Sequence, residues 1–163
     1  MYYLNNFFFF SLLGYLLEIS INIVSNNKIE SGFLNIPLTP IYGIGIVIII
    51  KINKILDTNN IKKNLKIVLT FIINTIILTL IEYIGGITLE KIFHKSFWNY
   101  SSLPFHIGKY ISVEISIIWG LSSLIYIYFI KKLSDKIIYL TPKWFSYILL
   151  IITIIDIIIT QII

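Results

Sequence analysis

The sequence predicts an all-α, polytopic membrane helix bundle with five transmembrane helices, and three observations predict it. The chain of 163 residues is 57% hydrophobic and only 13% charged, with a mean hydropathy of +0.89; roughly a quarter of an ordinary soluble domain is charged. Stretches 4–24, 40–56, 61–84, 110–130 and 142–163 each reach or approach the about 20 apolar residues that a helix needs to cross a bilayer. All 13 basic residues are lysines, and most gather at the ends of these stretches. Too few polar side chains remain to cover a water-facing surface, which excludes a soluble globular domain. Disorder is excluded by the same hydrophobicity. The expectation is one integral membrane domain over 1–163.

The first stretch has no basic segment before it and no small-residue cleavage site, so it reads as a retained helix, not a signal peptide. The second begins irregularly, with Gly32, Pro37, Pro40, Gly43 and Gly45. Thr39 as N-cap and Pro40 as first helical residue suit a helix starting there. Running to Leu56, it would be about 25 Å long, short of the roughly 30 Å hydrocarbon core. Gly32–Leu38 must then make up depth as non-helical backbone, buried in protein or lining a wet cavity. Gly85 and Gly86 break or kink the third helix and open an interfacial segment before the fourth. The fourth shows a small-residue face, Ser112, Ser116, Gly120 and Ser123. The fifth starts like the second, with Thr141 and then Pro142.

The lysines orient these spans. Lys51, Lys54, Lys62, Lys63 and Lys66 flank the turn at Asp57–Asn60, and Lys131, Lys132, Lys136 and Lys143 flank the last connection. Only Lys28 lies in the first connection, with Lys91, Lys95 and Lys109 in the third. The positive-inside rule makes the two Lys-rich connections cytoplasmic, the N-terminus inside and the C-terminus outside. The net charge of +5 is thus mostly topology, and nucleic-acid binding is not implied. Ala, Arg and Cys are absent while Ile, Asn and Lys abound, the bias of an AT-rich coding sequence. Without Cys there is no disulfide, thiolate metal site or Cys nucleophile.

Ionisable groups inside spans are costly and point to function. In this topology Glu18, Glu82, Glu114 and Asp156 all fall toward the outer third of the bilayer. Ser11, Gly14, Glu18 and Asn22 follow helical spacing, as do Thr75, Thr79, Glu82 and Gly86, and Thr153, Asp156 and Thr160. Each set puts small or polar residues on one face, away from lipid. Glu114 is off the small-residue face of its helix. Lys109, His106 and Lys91 are the outer-side cations available to these acids. In the third connection Glu90 and His94 stand at i, i+4, but two ligands fall short of a metal site. The aromatic residues Phe97, Trp98, Tyr100, Phe105 and Tyr110 fit either a headgroup-level belt or a folded lid over the acids. In the lid, Asn99 and Ser101 would supply amide and hydroxyl contacts. There is no G-x-x-x-x-G-K-[ST] phosphate loop, so the chain is not itself an ATPase; no G-x-S-x-G elbow or dinucleotide fingerprint occurs. A Ser101–His106 pair is not singled out by any motif, and no cofactor is implied.

Four blocks carry a family resemblance. Gly14-Tyr15-Leu16-Leu17-Glu18 matches a Gly-aromatic-x-x-Glu pattern. Gly32-Phe33-Leu34, Pro37 and Pro40-Ile41-Tyr42-Gly43-Ile44-Gly45 match G-F-L-x-x-P-x-x-P-I-Y-G-x-G. Glu82-Tyr83, Gly86, Glu90 and Trp98-Asn99-Tyr100-Ser101 match E-Y-x-x-G-x-x-x-E followed by W-D-Y-S. Pro104-Phe105 and Ser116-Ile117-Ile118-Trp119-Gly120 match P-F-N and S-x-x-W-G. In these blocks the chain resembles the ABC-transporter type IV permeases, small bacterial multi-pass membrane proteins. It departs at Ser31, where an Arg is expected, at Asn99 for Asp, at His106 for Asn and at Lys109 for Gly; Lys28 or Lys109 could replace the missing cation. The resemblance implies a permease-like transport subunit for a small solute in the cytoplasmic membrane, working as a homo-oligomer or with separate membrane and ATPase subunits. The substrate-binding candidates are Glu18, Tyr42, Glu82, Asn99, Tyr100, Ser101, His106 and Asp156. Gly14, Gly32, Pro37, Pro40, Gly43, Gly45, Gly86, Trp98, Trp119 and Gly120 are the structural candidates. Two alternatives stay open: a membrane-embedded enzyme acting on a lipid-linked or outer-side substrate, and a non-catalytic accessory subunit.

Overall fold

The computed structural model describes residues 1–26, 32–59 and 61–162. Among them run five helices: α1 Tyr2–Asn26, α2 Pro40–Thr58, α3 Lys63–Phe93, α4 Val113–Leu140 and α5 Lys143–Ile162. A small antiparallel hairpin, β1 His106–Ile107 and β2 Ile111–Ser112, joins α3 to α4. Four of these helices, α1, α3, α4 and α5, are long and apolar enough to cross a membrane. The 19-residue α2 carries Lys51, Lys54 and Asp57 and does not join that group. The expected all-helical fold is therefore observed, with four candidate membrane-spanning helices among the described residues. Lys28, Ser31 and Asn60 lie outside the described residues.

The chain forms two compact units, Met1–Val47 with Ser134–Ile163, and Ile48–Leu133. In the first, α2 starts at Pro40, as the Thr39-Pro40 pair predicted. Residues 32–39 before it are non-helical, and Gly32 takes a φ of +65° that glycine allows without steric cost. The Thr39 N–H donates to the Ser11 carbonyl at 3.0 Å, so this backbone lies level with the middle of α1. Phe8, Leu34 and Leu38 form the core here, flanked by Phe7, Ile36, Leu149 and Ile157. Gly43 brings α2 hard against α1 at Phe7 and Ser11. At the other end, Asn5 Nδ2 donates to the carbonyls of Ile138 and Thr141, both at 3.3 Å, and Asn5 Oδ1 accepts from Ser146 Oγ at 2.6 Å. The Tyr2 hydroxyl donates to Asp135 at 2.5 Å. These bonds fasten the start of α1 to the end of α4 and the start of α5.

In the second unit α3 and α4 pack along each other. The buried ridge of α3 is Thr70, Asn74, Leu78, Glu82 and Gly86, one residue every fourth position. It shares Glu82 and Gly86 with the predicted face, while Thr75 and Thr79 flank it half-buried. The predicted small-residue face is the packed one: Ser112, just before α4, and Gly120 and Ser123 on it are buried, and Ser116 is half-buried. Near the α2–α3 turn, Lys66 pairs with Asp57, which also accepts from Asn53 Nδ2 at 2.8 Å.

Three predicted boundaries move. The third helix does not break at Gly85-Gly86 but continues to Phe93. Gly86 is there for space: a Cβ on it would fall 2.5 Å from Cδ1 of Tyr110. The fourth helix begins at Val113, because Ile111 and Ser112 pair with β1 instead. It also passes Ile130, through a π-helical turn at Tyr126–Ile130, and ends at Leu140. Lysines at a membrane edge do not stop a helix, and Ser134 and Ile138 are buried in this extension.

Candidate functional site

Glu82 is a buried acid with a built environment. It is 4% exposed, on the ridge that α3 turns toward α4. The Tyr100 hydroxyl donates to its Oε1 at 2.5 Å and Trp119 Nε1 to its Oε2 at 2.9 Å. Trp119 comes from α4. Tyr100 comes from the connection, which is held in a folded-back form by its own backbone: Tyr100 N–H donates to the Lys109 carbonyl at 2.8 Å, and Leu103 N–H to the Tyr100 carbonyl at 2.9 Å. Tyr110 fills the space beside Gly86, one turn beyond Glu82, and Trp98 meets Tyr110 edge-on with ring centroids 5.9 Å apart. Phe105 alone of the predicted loop aromatics is largely exposed, at 67%.

Lys109 meets a different acid from those expected. Lys109 Nζ donates to Glu90 Oε1 at 2.5 Å, not to Glu82. Ser96 Oγ donates to the same oxygen at 3.1 Å and accepts from the Tyr110 hydroxyl at 3.2 Å. The hydrogen bond to Glu90, and then its charge, hold the Lys109 ammonium above the ordinary lysine range. His94 leaves the helix with φ of 53° and closes its C-terminus. Asn99 and Ser101 bond each other: Asn99 Oδ1 accepts from the Ser101 N–H at 2.9 Å and hydroxyl at 2.6 Å. His106 is exposed on β1, its Nδ1 2.8 Å from the Leu103 carbonyl oxygen. Glu114 sits in the first turn of α4 and accepts from Ser112 Oγ at 2.5 Å.

In the other unit Asp156, 7% exposed, anchors the non-helical segment. Its Oδ2 accepts the Asn35 backbone N–H at 2.9 Å, and Asn35 Nδ2 donates to Thr160 Oγ1 at 3.0 Å. Irregular backbone away from water needs such protein partners. Asp156→Ala should strand that N–H and cost about 1–3 kcal/mol, whereas Asp156→Asn keeps an acceptor and should retain most of the stability. Thermal unfolding of the two variants in detergent tests this; equal losses would place the stabilisation in the charge, not in the acceptor. The Tyr42 ring packs over Gly14, and Glu18 is half-buried one turn further along α1.

Residues 5–163 match the family model described as "Putative ABC-transporter type IV". The chain belongs to that family. No curated protein and no solved structure matches it. Membership in an ABC-transporter family, together with four helices fit to cross a bilayer, makes this a membrane protein related to transport. The family match spans every residue bonded to Glu82 and to Asp156.

The sequence reading missed several of these residues. Trp119 was expected to be structural, yet it donates to the acid. Asn35 was not singled out at all; its position between Gly32-Phe33-Leu34 and Pro37 was the available signal. Thr70 and Asn74 are fully buried on the Glu82 ridge, and Thr70 Oγ1 and Asn74 Oδ1 have no hydrogen-bond partner among the described residues. Trp98 Nε1 is buried and unpaired as well.

Proposed function

We propose that this protein is the membrane-embedded, permease-like subunit of a transport system for a small solute, with a polar site built around Glu82. The observation that carries this reading is the pairing of a buried intramembrane carboxylate with one donor from a neighbouring helix and one from a folded loop. Each carboxylate oxygen can accept more than one hydrogen bond, so the acid can still receive a solute donor or cation. Thr70 and Asn74 extend the polar row along α3, and unpaired acceptors there suit a path that a hydrated solute crosses. Asn99, Ser101 and His106 form the loop surface next in sequence to Tyr100. Glu18, Tyr42 and Asp156 are the polar counterparts in their own unit, with Asp156 holding the 32–39 segment.

In this reading all of 1–163 is one integral domain of the cytoplasmic membrane with five spans, α2 completed by residues 32–39. The lysines flanking α2–α3 and α4–α5 face the cytoplasm, and the 94–112 connection faces out. Cysteine-accessibility reporters at Asn59 and Ser102 check this: Asn59 is expected to label only after permeabilisation, Ser102 in intact cells. The reverse pattern overturns the orientation. Energy coupling lies on a separate ATPase subunit, because the chain has no phosphate loop of its own. Purification of the tagged full chain in mild detergent is expected to bring down an ATPase in fixed stoichiometry. Recovery of the chain alone, in membranes where it supports uptake, would sink the ABC-coupled reading.

A further inference from the structure

The two carboxylate oxygens of the buried Glu82 are held by different kinds of donor. Among the described residues no cation stands within ion-pair distance of it. The charged and titratable groups around it are engaged elsewhere. On α3 itself Glu90 pairs with Lys109, Tyr83 and Lys91 are exposed, and Lys66 near the other end pairs with Asp57 of α2. On the connection the Tyr110 hydroxyl donates to Ser96 and His106 is exposed. On α4 Glu114 accepts from Ser112 Oγ. Tyr100 is the titratable group in contact with Glu82. A buried carboxylate with no cation opposite it keeps its desolvation cost, and a proton removes that cost.

The donor set suits this exchange. Indole Nε1–H only donates, so Oε2 must remain an acceptor in either state, whereas a phenol hydroxyl both donates and accepts. In the charged state Tyr100 donates to Oε1. In the neutral state the proton lies on Oε1, and the same contact is kept with its direction reversed, Oε1–H donating to the Tyr100 oxygen. Both hydrogen bonds survive in both states, and no side chain has to move. A lysine or a second indole in place of Tyr100 could serve only the charged form. Tyr100 also provides the route, because it is half-buried on the connection while its neighbours Asn99 and Ser101 are exposed.

We propose that Glu82 is a proton-binding site, loaded and emptied from the side of the 94–112 connection through the Tyr100 hydroxyl. In loading, Tyr100 passes its hydroxyl proton to Oε1 and takes one from water at the loop surface. Glu82 gains one proton and Tyr100 none. The proton neutralises the carboxylate while no solute occupies it and leaves when a cationic or hydrogen-bond-donating solute arrives. That role beside a solute rests on the reading of Glu82 as the polar site of a permease-like subunit; the protonation itself does not.

The test is infrared difference spectroscopy of the full chain in detergent, between mildly alkaline and mildly acidic pH. A carboxyl C=O band gained on acidification and absent from Glu82→Gln is expected. Trp119 bonds the carbonyl oxygen of the neutral group and Tyr100 its O–H. Trp119→Phe should therefore move the band to higher frequency, and Tyr100→Phe should instead change the proton affinity by about tenfold, since a hydrogen bond to the charged form is the stronger of the two. A Glu82 that stays charged or stays neutral across the range overturns the proposal, as does a titrating band that persists in Glu82→Gln or that neither Trp119→Phe nor Tyr100→Phe alters. Failure of the transport reading is distinguishable. A titrating Glu82 whose Gln variant still supports uptake keeps the proton site and removes the solute; a permanently charged Glu82 whose Gln variant loses uptake does the reverse.

Discussion

Gly43→Leu should fail to accumulate in the membrane, and Gly43→Ala should accumulate with clearly lowered thermal stability. A Cβ on Gly43 would enter the space of Ser11 Oγ and of the Phe7 carbonyl oxygen. The hydroxyl can rotate away, but the carbonyl is part of α1 and moves only if the helix does. Helix propensity argues the other way, since Ala in a helix interior is favoured over Gly by about 1 kcal/mol. Overpacking a well-packed site typically costs about 1–3 kcal/mol and sometimes more, and a backbone obstacle puts this site at the upper end. The clash should therefore win. Separating α1 from α2 would also pull on the Thr39–Ser11 bond, which is formed a few residues away. Gly108→Asn is the control: nothing lies within 4 Å of a Cβ there, and its φ of +63° is one that Asn tolerates. Thermal unfolding in detergent should place Gly108→Asn near the unmodified chain and Gly43→Ala well below it. A Gly43→Ala protein as stable as the unmodified chain would mean that α1 and α2 do not rely on this approach.

The limits of sequence reading have identifiable physical causes. The start of α2 was legible because Pro40 lacks an N–H and its fixed φ suits a first helical turn. The non-helical approach to it was legible from helix length alone. The end of α3 was not, because Gly-Gly reads as a helix breaker in water, where exposed backbone competes for hydrogen bonds. In an apolar setting that competition is missing, and Gly86 instead makes room for a ring, Tyr110, from 24 positions on. The start of α4 was hidden because Tyr110-Ile111-Ser112 is as apolar as the helix that follows; only pairing with His106 and Ile107 shows it to be strand. Glu82 and Asp156 were found by the cost of burying an acid. Their partners were harder: Asp156 is met by a backbone N–H, which no residue type reveals, and Trp119 reaches Glu82 from 37 positions away. Lys109 was misassigned for a related reason. Its charge suited any of the acids, and the β-hairpin geometry beside it selected Glu90.

Glu82→Gln should accumulate at close to the normal level and lose transport by an order of magnitude or more, the scale expected when a costly intramembrane charge is functional. The amide can be accommodated in only one way. Indole N–H is a donor without acceptor capacity, so the Gln carbonyl must face Trp119; the Tyr100 hydroxyl can both donate and accept, and turns to take the amide N–H. Packing and hydrogen bonds then survive while the capacity for negative charge is gone. Glu82→Ala differs, since it strands two buried donors at about 1–3 kcal/mol each and leaves a void as well. It should lower stability by several kcal/mol, and any loss of uptake in it would be ambiguous. Tyr100→Phe removes one donor from the carboxylate and frees the loop from α3, and it should reduce uptake with a smaller change in melting temperature than Glu82→Ala. Uptake in membrane vesicles, read beside protein level and thermal stability for each variant, separates charge from scaffold. Normal uptake by Glu82→Gln would make Glu82 a packing group that Tyr100 and Trp119 merely satisfy. Loss in Glu82→Gln with stability intact assigns the charge a part in handling the solute.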